Sequence, residues 1–219
     1  MEFSIDPQLK KACPTLTLGI IEASVVVTKK TDSLWEEIDK NVVTVPAAYF
    51  LDSFTGIPEI AATREAYRRL GKDPTRYRGS AEALIRRILQ GKGLHKINNV
   101  VDVNNLVSIE TRQSMGCYDS DHLKPLIVFS VGKTGETYKG IGKDMINIAE
   151  LPVFRDQGGP FGSPTSDSER TMIRDTTKNI LMVIISFIGK AGLKDSCNKA
   201  ADLLKRFAGA EVRNIQVIE

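Results

Sequence analysis

The 219-residue chain contains two histidines, three cysteines and one tryptophan. That scarcity excludes several chemistries. His95 and His122 stand apart, and Cys13, Cys117 and Cys197 form no CxxC, HxH or HExxH spacing, so no metal site is expected. Three scattered cysteines give no disulfide framework and fit a reducing compartment. Long hydrophobic runs are missing too. The most apolar stretch, Ile180 to Gly189 with Ser186 inside it, is about half the ~20 residues that a spanning helix needs. Glu2 and Asp6 sit in an N-terminus without an apolar h-region, so no secretory signal is read there. No GxGxxG follows a strand pattern, and no GxSxG elbow occurs. These absences predict a cytoplasmic protein with no membrane association, metal or cofactor.

What is present suits an ordered protein. Hydrophobic residues make up 42% and charged residues 26%, with a net charge of +3. The length fits one large domain, and with no linker or repeat we take 1–219 as a single unit. The element pattern is mixed α and β, an α+β class. Residues 16–28 and 126–131 read as strands, and Ile180 to Ile188 as a buried one. Helical spacing marks Thr31–Val43, with Trp35 as core filler, then Ile60–Leu70 and a helix over 81–90 capped by Ser80. Residues 97–111 form another helix. Gln113–Asp119, broken by Gly116, leads into a turn, and Ile146–Phe154 reads as one strand broken at Pro152. A C-terminal strand, helix and strand fit a βαβ or split-βαβ unit. Gly132-Lys133-Thr134 lacks the upstream glycine of a phosphate loop, and Gly135 and Glu136 instead suit a hairpin turn leading to a strand around Thr137–Ile141.

Three stretches carry chemistry. In 156–177, Gly158, Gly159, Pro160, Gly162 and Pro164 predict a loop, followed by seven consecutive hydrogen-bonding side chains from Thr165 to Thr171. A polar loop beside a buried strand suits a binding or catalytic site on a rigid support. In 97–111, Asn98, Asp102 and Asn105 fall at i, i+4 and i+7 and share one side of a helix. Asn disfavours helix interiors, so an amide-rich helix implies that those amides are needed, either as a buried network or as ligand contacts. Between Arg64 and Lys96 basic residues outnumber acids. Arg76, Arg78, Arg86 and Arg87 there form either a solvated face or a phosphate-binding surface for RNA.

From Arg76 onward the motif order resembles a known family. RYRGSAEALIRRIL, INNVVDVNNLVSIE, QSMGCYD and GGPFGSPTSDSERT, followed by a Thr pair, are similar to the aminoacyl-tRNA editing domain of the bacterial phenylalanyl-tRNA synthetase beta subunit. That domain fuses the third and fourth B-modules and also occurs as stand-alone proteins. The resemblance covers roughly residues 76–188. It implies the editing-domain fold and hydrolysis of mischarged aminoacyl-tRNA in a metal-free cleft, with the tRNA acceptor end and an amino-acid moiety as partners.

Residue by residue, Val101, Asp102 and Asn105 match a Val-Asp-x-x-Asn segment, with Asn104 beside it. Gln113, Met115, Tyr118 and Asp119 match a second segment whose histidine falls on Gly116. The family's Gly-Gly-Glu falls on Asp167, Ser168 and Glu169 when aligned from the Thr pair. Aligned on Gly158-Gly159, it leaves no glutamate. The resemblance implies Glu169, Asn105 and Asp167 as catalytic groups that hold the substrate ammonium or orient water. It implies Asn98, Asp102, Asn104, Gly116, Gly159, Ser166, Ser168, Arg170 and Thr171 as substrate contacts. A module that binds RNA or an amino acid without turnover is the alternative.

Overall fold

A computed structural model describes residues 1–219. The chain opens with a short strand β1 (Phe3–Ile5) and helix α1 (Pro7–Ala12), then the long strand β2 (Thr17–Ser24). Helices α2 (Asp32–Ala48), α3 (Pro58–Arg69), α4 (Ser80–Leu89) and α5 (Asn99–Thr111) follow. Strands β3 (Ser114–Asp119), β4 (Ile127–Val131), β5 (Thr137–Lys139), β6 (Met145–Asn147), β7 (Pro152–Asp156) and β8 (Gly159–Gly162) come next. Strand β9 (Asn179–Ser186), helix α6 (Leu193–Ala208) and strand β10 (Glu211–Ile218) complete the chain. This is an α+β fold, and no helix is long and apolar enough to cross a membrane.

Two four-stranded sheets lie face to face, with α2, α5 and α6 packed on the outer side of one of them. The first runs β10-β2-β9-β3, antiparallel throughout, and the second runs β1-β4-β7-β8. Strand β9 explains the layering. Leu181, Val183 and Ile185 point to the second sheet and meet Phe129, Phe154 and Phe161, while Ile180, Met182 and Ile184 point to α2, α5 and α6. A strand buried on both faces must be apolar at every position, which is why this stretch is the most hydrophobic in the sequence. Each such fully buried side chain contributes about 1.5–3 kcal/mol. Both β9 and β10 run antiparallel to β2 between them, so β9-α6-β10 is a split βαβ unit, as the sequence pattern predicts.

Several boundaries differ from the sequence reading. Gly159–Gly162 is a strand, not a loop. It pairs with β7 at the edge of its sheet, where the missing donor of Pro160 leaves no ladder bond unmade. Ser114–Asp119, expected to break at Gly116 and lead into a turn, is a continuous buried strand. Ile146–Phe154 divides into β6 and β7, with Pro152 opening the second. Helix α2 continues past Val43 through Pro46 to Ala48. Ser80 is the first residue of α4 rather than its cap: Gly79 is the capping position, and the Ser80 hydroxyl accepts from the Met115 backbone N–H at 3.2 Å.

Candidate functional site

The first sheet ends at β3, and a cavity of about 200 Å³ lies beside this strand. Met115 and Cys117 form the floor, and Val101, Asn104 and Asn105 in the N-terminal half of α5, with Ile97 just before it, form one wall. Ser80 lies at the start of α4, and Ile141, Asp167, Met172 and Ile173 close the remaining side. Most of the lining is apolar, with polar groups limited to Ser80, the two amides and the Asp167 carboxyl. Such a cavity, apolar with a few convergent polar groups, is the usual form of a small-molecule site.

The amide-rich helix divides its labour. Asn98 caps α5, its side chain accepting from Val101 N–H at 2.9 Å. Asn99 is buried and bonded four times, accepting from Thr28 N–H and Val100 N–H and donating to the carbonyls of Val26 and Phe207. Asp102 accepts from Trp35 Nε1–H at 2.8 Å and from Ile97 N–H at 3.1 Å. Asn98 and Asp102 therefore serve the helix ends and the α2 contact and do not line the cavity. Asn104 and Asn105 do, and Asn104 Oδ1 is buried without a hydrogen-bond partner in the protein. A buried acceptor left unpaired typically costs about 1–3 kcal/mol, so this amide oxygen is available to a ligand donor.

The loop from Ser163 to Asp167 is held by three tyrosine hydroxyls from three different elements. Tyr67 on α3 shares a 2.7 Å hydrogen bond with Thr165 Oγ1. Tyr138 on β5 donates to Ser163 Oγ at 3.2 Å and to the Ser166 carbonyl. Tyr118 on β3 donates to Asp167 Oδ1 at 2.9 Å. The β5–β6 connection adds two more ties, Ile141 N–H to the Asp167 carbonyl and Lys143 Nζ to Ser166 Oγ at 2.9 Å. Asp167 retains some solvent exposure on the cavity side. Its carboxyl is nonetheless pushed up to about 7 by burial, with the Tyr118 hydroxyl, the Ser163 N–H and Lys143 opposing that rise.

Other expected site residues lie elsewhere. Glu169, in a single 3-10 turn over Glu169–Thr171, is ion-paired to Lys139 Nζ at 3.0 Å and is not part of the cavity lining. Arg170 spans Asp156 and the Gly159 carbonyl, tying the loop to the β7–β8 hairpin, so Gly159 and Arg170 act on the fold. Ser168 caps the 3-10 turn through Arg170 N–H, and Ser166 Oγ is bonded to Thr165 O and Lys143. Thr171 is fully buried with its hydroxyl unpaired.

At Gly116 the ring of Tyr118 occupies the space a side chain there would need. Cys117 lines the floor, but burial and the carboxyls of Asp167 and Asp119 push its thiol well up, which removes it as a nucleophile. Nothing in the sequence marked the three tyrosines as a group, or Ile97, Ile141, Met172 and Ile173 as lining. Alternation in 113–119 was the available signal for Met115 and Cys117 sharing a face.

The arginine-rich segment is less free than its composition suggests. Glu82, 2% exposed, draws Arg64 at 2.9 Å, Arg78 at 3.6 Å and Arg86 at 3.8 Å. Arg86 also lies over the Phe54 ring, and Arg87 donates to the Lys92 carbonyl at 3.4 Å. Arg76 is exposed. The structure brings together no group of three or more His, Cys, Asp or Glu side chains able to hold a metal ion.

The phenylalanine–tRNA ligase beta subunit of Fusobacterium nucleatum is 30% identical over 102 residues, covering 45% of this chain and 13% of that protein. The same subunit from Pectobacterium atrosepticum is 30% identical over 105 residues, with the same coverage of each. The matches thus span about an eighth of the length of these relatives. Among solved structures, an N-terminal fragment of the phenylalanyl-tRNA synthetase beta subunit from Pyrococcus horikoshii superposes with a TM-score of 0.48 at 14% identity, covering 96% of this chain and 50% of the other. The family model described as B3/4 domain matches residues 62–209. That segment contains every residue of the cavity lining, from Ser80 to Ile173, and the chain belongs to the B3/4 domain family.

Proposed function

We propose that the cavity beside β3 hydrolyses mischarged aminoacyl-tRNA in trans, as a form of translation quality control. The observation that carries this reading is a carboxyl with a near-neutral proton affinity, Asp167, set in an apolar cavity beside the unpartnered amide oxygen of Asn104. The apolar wall of Val101, Met115, Ile141 and Met172 suits an uncharged amino-acid side chain. Asn104 Oδ1 accepts from the substrate ammonium, and Asn105 orients the ester.

An aminoacyl ester is already activated, so a held water and a proton acceptor suffice. Asp167 takes a proton from water as the oxygen bonds to the ester carbonyl carbon. The tetrahedral intermediate then breaks its bond to the ribose oxygen, which takes up a proton, releasing the amino acid and free tRNA. Exposed Arg76, with the outer faces of Arg78, Arg86 and Arg87, contacts acceptor-stem phosphates. The reading places the protein in the cytoplasm with its substrate.

The test is a panel of tRNAs mischarged with different amino acids. Deacylation above the spontaneous rate is expected for at least one pair. Asp167→Asn should lower it by about 10²–10³-fold and Asn105→Ala by at least about tenfold, magnitudes typical of a lost base or positioning group. Asp167→Asn should cost more than Glu169→Ala. A folded protein with no activity on any pair overturns the reading.

One observation favours a second reading, a module that binds without turnover. The Tyr118 ring fills the position where the resembled family carries a histidine. Ligand-induced thermal stabilisation without hydrolysis would select it.

A further inference from the structure

The hydroxyl of Tyr118 reaches Asp167 only because two neighbouring positions have no side chain. A Cβ at Gly116 or at Gly162 would overlap the Tyr118 phenol, so the ring lies in a slot between β3 and β8 formed by these glycines. The ring is held edge-on by Phe161 at 4.9 Å and Phe154 at 6.1 Å between centroids. Only its oxygen is polar, and that oxygen has one side-chain partner, Asp167 Oδ1. Two glycines and two aromatic rings thus deliver one hydroxyl to the one carboxyl on the cavity wall.

We propose that Tyr118 is a positioning residue for hydrolysis, its hydroxyl holding the Asp167 carboxyl at the cavity wall as the acceptor of the water proton. The inference rests on the hydrolytic reading above and adds a residue that does not itself line the cavity. The surroundings of Asp167 leave Tyr118 as its direct side-chain donor. Strand β3 contributes Tyr118 and the protonated thiol of Cys117, and β5 contributes Tyr138, whose own hydroxyl is directed to Ser163 and Ser166. The β5–β6 connection contributes Lys143, bonded to Ser166, and the loop itself contributes the Ser163 N–H. Helices α4 and α5 present only the neutral groups of Ser80, Asn104 and Asn105 to this side of the cavity. A phenol that donates to a carboxylate favours its ionised form, and removing the phenol shifts the carboxyl toward the protonated state.

The experiment compares wild type with Tyr118→Phe, which keeps the ring packing and deletes the oxygen. The Asp167 carboxyl is followed by carbon-13 NMR in Asp-labelled protein, assigned with Asp167→Asn. The midpoint in Tyr118→Phe should rise by about one pH unit, a tenfold change in proton affinity. In the deacylation assay the rising limb of kcat against pH should move up by the same amount, with KM within about twofold, since only proton acceptance is altered. An unmoved midpoint or an unmoved limb in folded Tyr118→Phe overturns the inference.

Should that variant not fold, 3-fluorotyrosine placed at 118 is a stronger donor of nearly the same shape and should move the midpoint down. An unmoved midpoint there overturns the inference as well. A wild-type protein that hydrolyses nothing at any pH shows failure of the hydrolytic reading. Turnover with an unshifted profile shows failure of this one.

Discussion

Gly116 and Tyr118 occupy one face of β3, and the tyrosine ring folds back over the glycine so closely that no Cβ fits between them. Gly116→Ala should therefore force the ring from its slot. Overpacking of this kind destabilises by about 1–3 kcal/mol. Urea denaturation should show a lower midpoint at unchanged slope, and the Asp167 carboxyl should rise as its donor moves away. A midpoint equal to wild type would mean the ring has room to shift.

Asp167 links stability to pH with a definite sign. In the folded protein it holds its proton to about pH 7, against about 4 in an unfolded chain. Between those values the folded state binds more protons, so its stability falls as pH rises from 4 to 7 and stays lowered above. Asp167→Asn keeps an acceptor for Tyr118 and cannot ionise. It should match wild type near pH 4 and exceed it at pH 8 by about 1–3 kcal/mol, allowing for partial solvent screening, or a few degrees in Tm. Parallel melting curves at the two pH values check this, and a constant difference would contradict it.

Glu82 is the anion that lets Arg64, Arg78 and Arg86 converge. Glu82→Gln leaves these guanidinium groups facing one another around a neutral amide. We expect a loss of about 2–4 kcal/mol, near the lower end for a broken buried ion pair because Arg78 and Arg86 remain partly exposed. Added sulfate should recover part of it. Differential scanning calorimetry with and without sulfate measures both effects.

Asn99 ties α5 to the end of β2 and to the end of α6 through three of its four hydrogen bonds. Asn99→Ala strands backbone groups at Thr28, Val26 and Phe207, and about 2–4 kcal/mol should be lost. Asn105→Ala should lose under about 1 kcal/mol, since this half-buried residue lines the cavity. The ordering of the two variants in chemical denaturation is the check.

Periodicity made much of the fold readable. Strand β9 and helices α4, α5 and α6 follow from their apolar spacing, and the split βαβ arrangement follows from their order. Glycine and proline misled the reading of β3 and β8. At Gly116 and Gly162 the small residue makes room for a ring, and at Pro160 the chain runs along a sheet edge. The amide-rich helix was legible as special, but Asn98, Asn99 and Asp102 could not be told from Asn104 and Asn105 without knowing where Trp35 and Thr28 lie. The tyrosines were invisible as a group. Tyr67, Tyr118 and Tyr138 are far apart in sequence and meet only through the loop they bind. Glu169 drew attention through the family resemblance, yet its pairing with Lys139 depends on where the β5–β6 hairpin lies in the fold, which local sequence does not place.

The position of β2 has a kinetic consequence. Both of its neighbours in the sheet, β9 and β10, are encoded at the far end of the chain. During synthesis this apolar strand has no hydrogen-bonding partner until β9 has been made at residue 186, and lacks its second until β10 is made at residue 218. Such distant pairing makes for slow folding and a long exposure to aggregation. The matched segment 62–209 contains neither β2 nor β10, so expressed alone it would present β9 with a bare edge. The pairing of β2 is completed only by β10.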